Sequence, residues 1–228
     1  GDLGYNNNRL KENRPSLRLT NAVTSVPNAS QYANYHGQSW TYSNEEDVFG
    51  SYRAEYDFND AVTAYAAYGF RFSEEAGVYS SQQLSNTETG AASLSASTIL
   101  RKDKNNTGEV GIKTKFNTGT LSHNAVLSAS MYRADKRYSY GYATGVVDNF
   151  YNPIYSNESN IDKWLGSKGT YPKANITTLR SVALGDNITA LDDRLTVMLG
   201  ARYQEIDQDV YSYGVYKQKI NKGKVTPA

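Results

Sequence analysis

The chain has 228 residues, 20 of them tyrosine, with 24 Lys+Arg against 23 Asp+Glu, two histidines and no cysteine. The lack of cysteine excludes a disulfide scaffold, a thiolate metal site and a cysteine nucleophile, and a formal charge of +1 supplies no electrostatic footprint for a nucleic-acid backbone. No segment approaches the ~20 consecutive apolar residues of a membrane helix, but the mean hydropathy of −0.65 leaves a membrane β-barrel open, because barrel strands alternate apolar and polar residues.

In chain order, the first forty-odd residues read as a polar connection with a possible strand at residues 17–23. A hairpin follows. Val48, Tyr52, Ala54, Tyr56 and Phe58 share one face against Ser51, Arg53, Glu55 and Asp57. Asn59-Asp60 makes the turn, and Val62, Ala64, Ala66, Tyr68, Phe70 and Phe72 alternate with Thr63, Tyr65, Ala67, Gly69 and Arg71. Period two is the signature of a strand with one apolar face. Residues 73–107 then read as a long polar connection. The second hairpin pairs the face Val110, Ile112, Thr114 and Phe116 with Leu121, His123, Ala125, Leu127, Ala129 and Met131, across the turn Asn117-Thr118-Gly119-Thr120. Residues 138–175 form another long connection. A third hairpin descends over residues 176–190, turns near Leu191-Asp192-Asp193 and returns through Leu195, Val197, Leu199, Ala201 and Tyr203. Residues 210–223 read as a last polar loop, and residues 224–228 as the opening of another strand.

Compact soluble domains rarely hold structureless loops beyond ~12–15 residues, and a β-sandwich would turn every 8–12 residues. Strict alternation of tight turns with long loops is instead the layout of an outer-membrane barrel, with short periplasmic turns and long extracellular loops. The expectation is therefore all-β: six to seven strands of an antiparallel up-and-down transmembrane β-barrel. The aromatics Tyr52, Tyr56, Phe58, Phe70, Phe72 and Tyr203 on apolar faces suit a membrane interface. The chain starts Gly1-Asp2-Leu3, with no initiator Met and no signal peptide. It is expected to be a piece of a larger chain, with residues 1–228 one partial barrel domain.

Several segments resemble the barrel domain of TonB-dependent ferric-siderophore receptors. Residues 111–123, Gly-Ile-Lys-Thr-Lys-Phe-Asn-Thr-Gly-Thr-Leu-Ser-His, are similar to a family hairpin in which a threonine–glycine turn precedes serine–histidine. Residues 191–203, with Asp193-Arg194-Leu195 and Gly200-Ala201-Arg202-Tyr203, resemble another family strand. The resemblance spreads over residues 46–228. It implies a 22-stranded plugged barrel in the bacterial outer membrane that imports an iron chelate using energy delivered through TonB. The plug, the TonB-contacting segment and the remaining strands are missing from this chain. An open edge is not viable against lipid, so the isolated segment is expected not to transport. A porin-like diffusion barrel and a soluble all-β adhesin or carbohydrate-binding module are the alternatives.

No constellation supports catalysis. His36 and His123 are far apart, with His123 read as structural near a periplasmic turn; no serine has a G-x-S-x-G context; and no acidic loop has the ligand spacing of an EF-hand. The expected ligand site lies in the aromatic stretch 137–171, through Tyr138, Tyr140, Phe150, Tyr151, Tyr155 and Trp164, and in the lumen-facing Tyr65, Arg71 and Tyr132. Ligand sites are concave and largely aromatic with a few placed polar groups, which suits a large, moderately polar ferric siderophore. Iron would enter only inside the chelate, so neither a metal site nor a cofactor is expected. The expected partners are the siderophore, outer-membrane lipid and, through the absent plug, the TonB complex; nucleic acid is not one.

Overall fold

One twisted antiparallel meander accounts for nearly all of the backbone hydrogen bonding. The computed structural model describes residues 1–13, 15–32, 37–156, 170–191 and 194–227. Its strands are β1 (Asp2–Lys11), β2 (Ser16–Leu19), β3 (Tyr42–Asn59), β4 (Val62–Leu84), β5 (Ala91–Thr118), β6 (Leu121–Asn149), β7 (Lys173–Ala190), β8 (Leu195–Ser212) and β9 (Val215–Pro227), with one helical turn, α1 (Ala29–Tyr32). The order across the sheet is β1-β3-β4-β5-β6-β7-β8-β9. β2 pairs parallel to the far end of β4, with Ser16 opposite Ser81. The sheet is open, as the expected fraction of a barrel should be, and no described helix is long and apolar enough to cross a membrane.

The register sorts the two faces. Tyr56, Ala64, Ile112, Leu127, Leu184 and Ala201 are successive cross-strand partners on one face, and its large apolar members are exposed. Glu55, Tyr65, Gly111, Ser128, Ala183, Arg202 and Thr226 are successive partners on the other. Exposed apolar rows backed by polar rows give the lipid-out, polar-in arrangement of a transmembrane barrel. Aromatic contacts mark both margins of the outward band. Tyr56 and Phe58 meet edge to face at 5.0 Å near the tight turns, and Phe70 and Phe72 lie 5.2 Å apart at the opposite end. His123 joins the turn-side margin, as expected of a structural residue: its ring stacks on Phe116 at 4.6 Å, with Thr118 Oγ1 and Asp186 Oδ2 each 2.6 Å from its nitrogens.

The long connections come out differently. Residues 73–107 are not a loop but the outer halves of β4 and β5, joined by the short segment 85–90. β6 likewise runs through residues 138–149. The expected loop at 210–223 is a tight hairpin, with Tyr213 (φ 48°) and Gly214 (φ 82°) both left-handed as its turn requires. β1, unforeseen, pairs with β3 from Asp2 opposite Ser51 to Lys11 opposite Tyr42. The expected strand at 17–23 is the shorter β2. Above the bilayer both faces of a strand are wet, so alternation disappears while the backbone ladder continues. The expected strand number of six to seven is accordingly exceeded.

The extracellular end has a small core of its own. Trp40, Val78 and Leu94 bury together, with Tyr42 and Ala96 against them. Gln38 clamps the segment after β6: its Nε2 donates to the Ile154 carbonyl at 3.1 Å, and its Oε1 accepts from Ser156 N–H at 3.0 Å. Tyr171 ties the approach to β7 down, donating to Glu74 Oε1 at 2.7 Å beneath Lys102, whose Nζ lies 2.9 Å from Glu74 Oε2 and 4.3 Å from the Tyr171 ring centroid. Burial, and then the Glu74 carboxylate, push the Tyr171 phenol up to about 12. A phenol whose folded pKa exceeds its unfolded value near 10 stabilises the fold fully below pH ~10 and loses that contribution as pH rises towards 12. The ultraviolet difference titration of the full-length protein against its Tyr171→Phe variant should show a midpoint near 12; a midpoint near 10 removes the tie.

Candidate functional site

Above the lipid-facing band, the inward face of β3–β6 carries a polar cleft edged by tyrosines. Its floor is set by register. Asp47, Ser73, Asp103 and Lys136 are successive partners, followed by Glu45, Glu75, Arg101 and Tyr138. The side chains enclose a cavity of about 330 Å³ whose walls include Arg71, Arg101, Tyr132 and Lys136.

Two arginine–aspartate pairs define its electrostatics. Arg71 grips Asp47 with both prongs, Nε to Oδ1 at 3.1 Å and Nη2 to Oδ2 at 3.0 Å, and Ser73 Oγ donates to Asp47 Oδ1 at 2.5 Å. Arg101 Nη2 pairs with Asp103 Oδ2, and this contact raises the Arg101 pKa. The aspartates are sunk in the wall while the arginine side chains are 60% and 45% exposed. Buried carboxylates thus orient guanidinium groups whose remaining N–H donors point at the lumen. Planar guanidinium forks suit bidentate recognition of oxygen acceptors. Opposite them, Tyr79 OH donates to Glu75 Oε1 at 2.9 Å and lies 2.9 Å from Ser43 Oγ; burial, ahead of the Glu75 contact, raises its pKa. Tyr132 OH donates to Asn105 Oδ1 at 2.8 Å.

The tyrosines of β6 continue the same face. Tyr138, Tyr140 and Tyr142 pair with Arg101, Ile99 and Ser97, and their rings form a ladder with centroid steps of 4.9 and 6.4 Å. Burial, and then the neighbouring Tyr138, keep the Tyr140 phenol above its usual value. A row of tyrosine rings beside two guanidinium groups presents aromatic area with hydrogen-bonding tips.

Of the residues singled out in the sequence, Arg71 and Tyr132 thus line one cleft, and Tyr138 and Tyr140 continue its face above it. Tyr65 shares the face but sits deeper and is 8% exposed. Its OH donates to Glu109 Oε1 at 2.6 Å, Arg53 lies over its ring at 4.3 Å, and the ring occupies the space a Cβ on Gly111 would need. Tyr65 is wall packing. Phe150 is 2% exposed, offers no surface to a ligand, and donates its N–H to the Gly90 carbonyl at 2.7 Å. Tyr151 donates its OH to the Thr87 carbonyl at 2.5 Å and pins the β4–β5 turn. Tyr155 lies between the two residues clamped by Gln38 and is exposed. Trp164 and His36 lie outside the described residues, as do Asp192 and Asp193 of the β7–β8 turn. Glu55, the other acidic residue on the inward face of β3 that parity would allow as a partner of Arg71, is held by Arg53 and Lys113. Sequence reasoning missed Asp47, Arg101, Asp103, Lys136 and Tyr79 as residues of the cleft and its face. The signal was present in the i, i+2 spacing of Arg101 with Asp103 and of Tyr138 with Tyr140 and Tyr142, which has meaning only once those stretches are strand.

Among the described residues no group of three or more His, Asp or Glu could hold a metal ion. The cleft can bind an oxygen-rich solute by hydrogen bonds and aromatic contact.

A family model described as TonB dependent receptor-like, beta-barrel, matches residues 1–228. The chain is 31% identical over 232 residues to the ferrichrome receptor FcuA of Yersinia enterocolitica, covering 99% of this chain and 30% of that protein. In fold it is similar to BauA, the ferric preacinetobactin receptor of Acinetobacter baumannii, with a TM-score of 0.77 and 22% identity over 99% of this chain and 33% of that one. It is also similar to the siderophore receptor PiuA of the same organism, with a TM-score of 0.65 and 16% identity over 99% of this chain and 36% of that one. The chain therefore spans about a third of the length of these relatives.

Proposed function

This chain belongs to the TonB-dependent receptor-like β-barrel family of the outer membrane, and from that premise we propose that it forms one wall of a receptor that takes up a ferric siderophore. The observation that carries the reading is an inward-facing cleft above the lipid band lined by Arg71 and Arg101 and continued along the same face by the Tyr138, Tyr140, Tyr142 ladder. Guanidinium donors meet the chelate's oxygens, and tyrosine faces cover its less polar arms. The iron is cargo, fully held by the chelate, and needs no protein ligand or resident cofactor. Energy for uptake is delivered by TonB to parts of the receptor beyond these strands. The family is one of receptors and transporters, and the reading assigns this chain no bond-making chemistry.

The test is a fluorescence titration of the full-length receptor with ferric hydroxamate, ferric catecholate and mixed chelates. One class should bind, its iron-free form should bind more weakly, and Tyr140→Ala should weaken binding about tenfold, the ~1.4 kcal/mol expected of a well-placed aromatic contact. Unchanged binding and uptake in the Tyr138→Ala, Tyr140→Ala double variant would reject the cleft as the ligand site.

A further inference from the structure

The cleft holds more negative charge than its own cations balance. Arg71, Arg101 and Lys136 line it against five carboxylates. Arg71 and Arg101 are each paired with an aspartate, and Glu74 is held by Lys102, which does not line the cavity. Glu45 and Glu75 remain, directly opposite each other on β3 and β4. Like charges in that position destabilise a sheet, so the fold alone gives no reason to place them there. Glu45 is exposed and has no ion pair or hydrogen bond among the described residues. Glu75 is positioned without being neutralised. The Tyr79 OH donates to its Oε1 at 2.9 Å, and the Tyr79 ring lies over Gly77, where an added Cβ would come within 2.5 Å of it. Lys136 pairs across the sheet with Asp103, one row lower, and forms no ion pair with either glutamate among the described residues.

Asp103 is an independent sign of the same imbalance. It is 6% exposed in the cleft wall, and while Arg101 takes its Oδ2, its Oδ1 has no hydrogen-bond partner among the described residues. A buried carboxylate oxygen without a partner is costly, and it adds negative potential where a positive group would relieve it. The row that holds both glutamates ends in Tyr138, from which the ladder continues through Tyr140 and Tyr142. Carboxylates beside aromatic faces recognise a cation, through charged hydrogen bonds and the negative face of each ring. Building on the reading of the cleft as a chelate site, we propose that Glu45 and Glu75 determine which chelates it accepts: they seat a pendant ammonium group of the ferric chelate and repel chelates of net negative charge. Three hydroxamates balance the charge of ferric iron, so a tris-hydroxamate with a free amine is a cation, whereas three catecholates leave the complex strongly anionic. Arg71 and Arg101 take the chelate's oxygens, and the two glutamates read its charge.

The experiment is equilibrium titration of the full-length receptor with a linear ferric tris-hydroxamate carrying a free primary amine, with its N-acetylated form, and with a ferric tris-catecholate. The amine form should bind about tenfold more tightly than the acetylated form, and the tris-catecholate about a hundredfold more weakly than either. Glutamine keeps an acceptor for Tyr79, so the combined Glu45→Gln, Glu75→Gln variant tests charge and not wall geometry. In that variant the amine and acetylated forms should bind within about twofold of each other, and the tris-catecholate about tenfold more tightly than to the wild type. Equal binding of the amine and acetylated forms by the wild type, or wild-type selectivity in the glutamine variant, would overturn the proposal. If the Tyr138→Ala, Tyr140→Ala variant weakens chelate binding while the glutamine variant keeps wild-type selectivity, the proposal alone fails. If neither variant alters the binding of any chelate, the reading of the cleft as the ligand site fails with it.

Discussion

Replacing Arg71 and Arg101 together by glutamine is expected to weaken binding of the ferric chelate by the full-length receptor by about 2–3 kcal/mol, roughly 30- to 150-fold. The reason lies in the way the two guanidinium groups are held. Each is oriented from the wall side by a buried aspartate, Asp47 or Asp103, and presents its other donors to the lumen. Hydrogen bonds from a charged donor in a partly dehydrated cleft are worth ~1.5–3 kcal/mol each, more than those of a neutral amide. Glutamine can still donate to the aspartate, so the wall is not left with an unpaired buried carboxylate and the loss reports on the ligand. Arg71→Lys should recover part of the Arg71 share, because it restores the charge without the fork. Equilibrium titration of the full-length receptor checks both variants. An affinity within threefold of wild type in the double glutamine variant would show that the arginines only brace the wall.

Phe150→Ala is expected to cost the extracellular end about 3–5 kcal/mol of local stability, the usual penalty for emptying a fully buried aromatic site, while leaving the membrane-spanning strands intact. Phe150 is 2% exposed, its ring meets Tyr151 edge to face at 5.1 Å, and its backbone holds the β4–β5 turn through Gly90. Hydrogen exchange on the full-length receptor should show lost protection at residues 85–91 and 149–156 and unchanged protection at 121–131. If exchange stays as in the wild type while chelate affinity falls, Phe150 acts at the ligand, as its place in an aromatic stretch suggested, and the packing role assigned to it fails.

That contrast shows where sequence patterning stops. The three hairpins were legible because within the bilayer one face of each strand must be apolar, so Val110, Ile112 and Phe116, or Leu195, Val197 and Leu199, write the period directly. Beyond the bilayer the constraint lapses. Residues 91–107 and 138–149 continue β5 and β6 with polar or aromatic residues on both faces, and period two is lost although the hydrogen-bonded ladder is not. The cleft was only half visible for the same reason. Arg71 and Tyr132 could be placed in the lumen because they lie beside alternating segments, whereas Arg101 and Asp103 fell in a stretch that read as loop.

Pairing was less legible still. Glu55 and Asp47 are equally plausible partners for Arg71 by parity, since both face the lumen from β3. Register decides between them: Glu55 lies opposite Tyr65 beside Arg53 and Lys113, while Asp47 lies opposite Ser73, next to Arg71. Phe150 and Tyr138 look alike in sequence, both aromatic and both in the stretch after Arg137. A strand continuing through Asn149 and a turn folding back on Gly90 bury the first and leave the second on the inward face, opposite Arg101.

The amino-acid sequence by itself determined that this is a stack of spanning antiparallel hairpins with a lipid face and a polar face, and its motifs identified the family. Those properties follow from single-residue transfer between water and lipid, which each side chain settles largely alone. Only the tertiary structure decided which lumen residues share a cleft and which aromatics are packing. Those properties depend on cross-strand neighbours distant in sequence, and a register shift of one residue would turn every one of them to the opposite face.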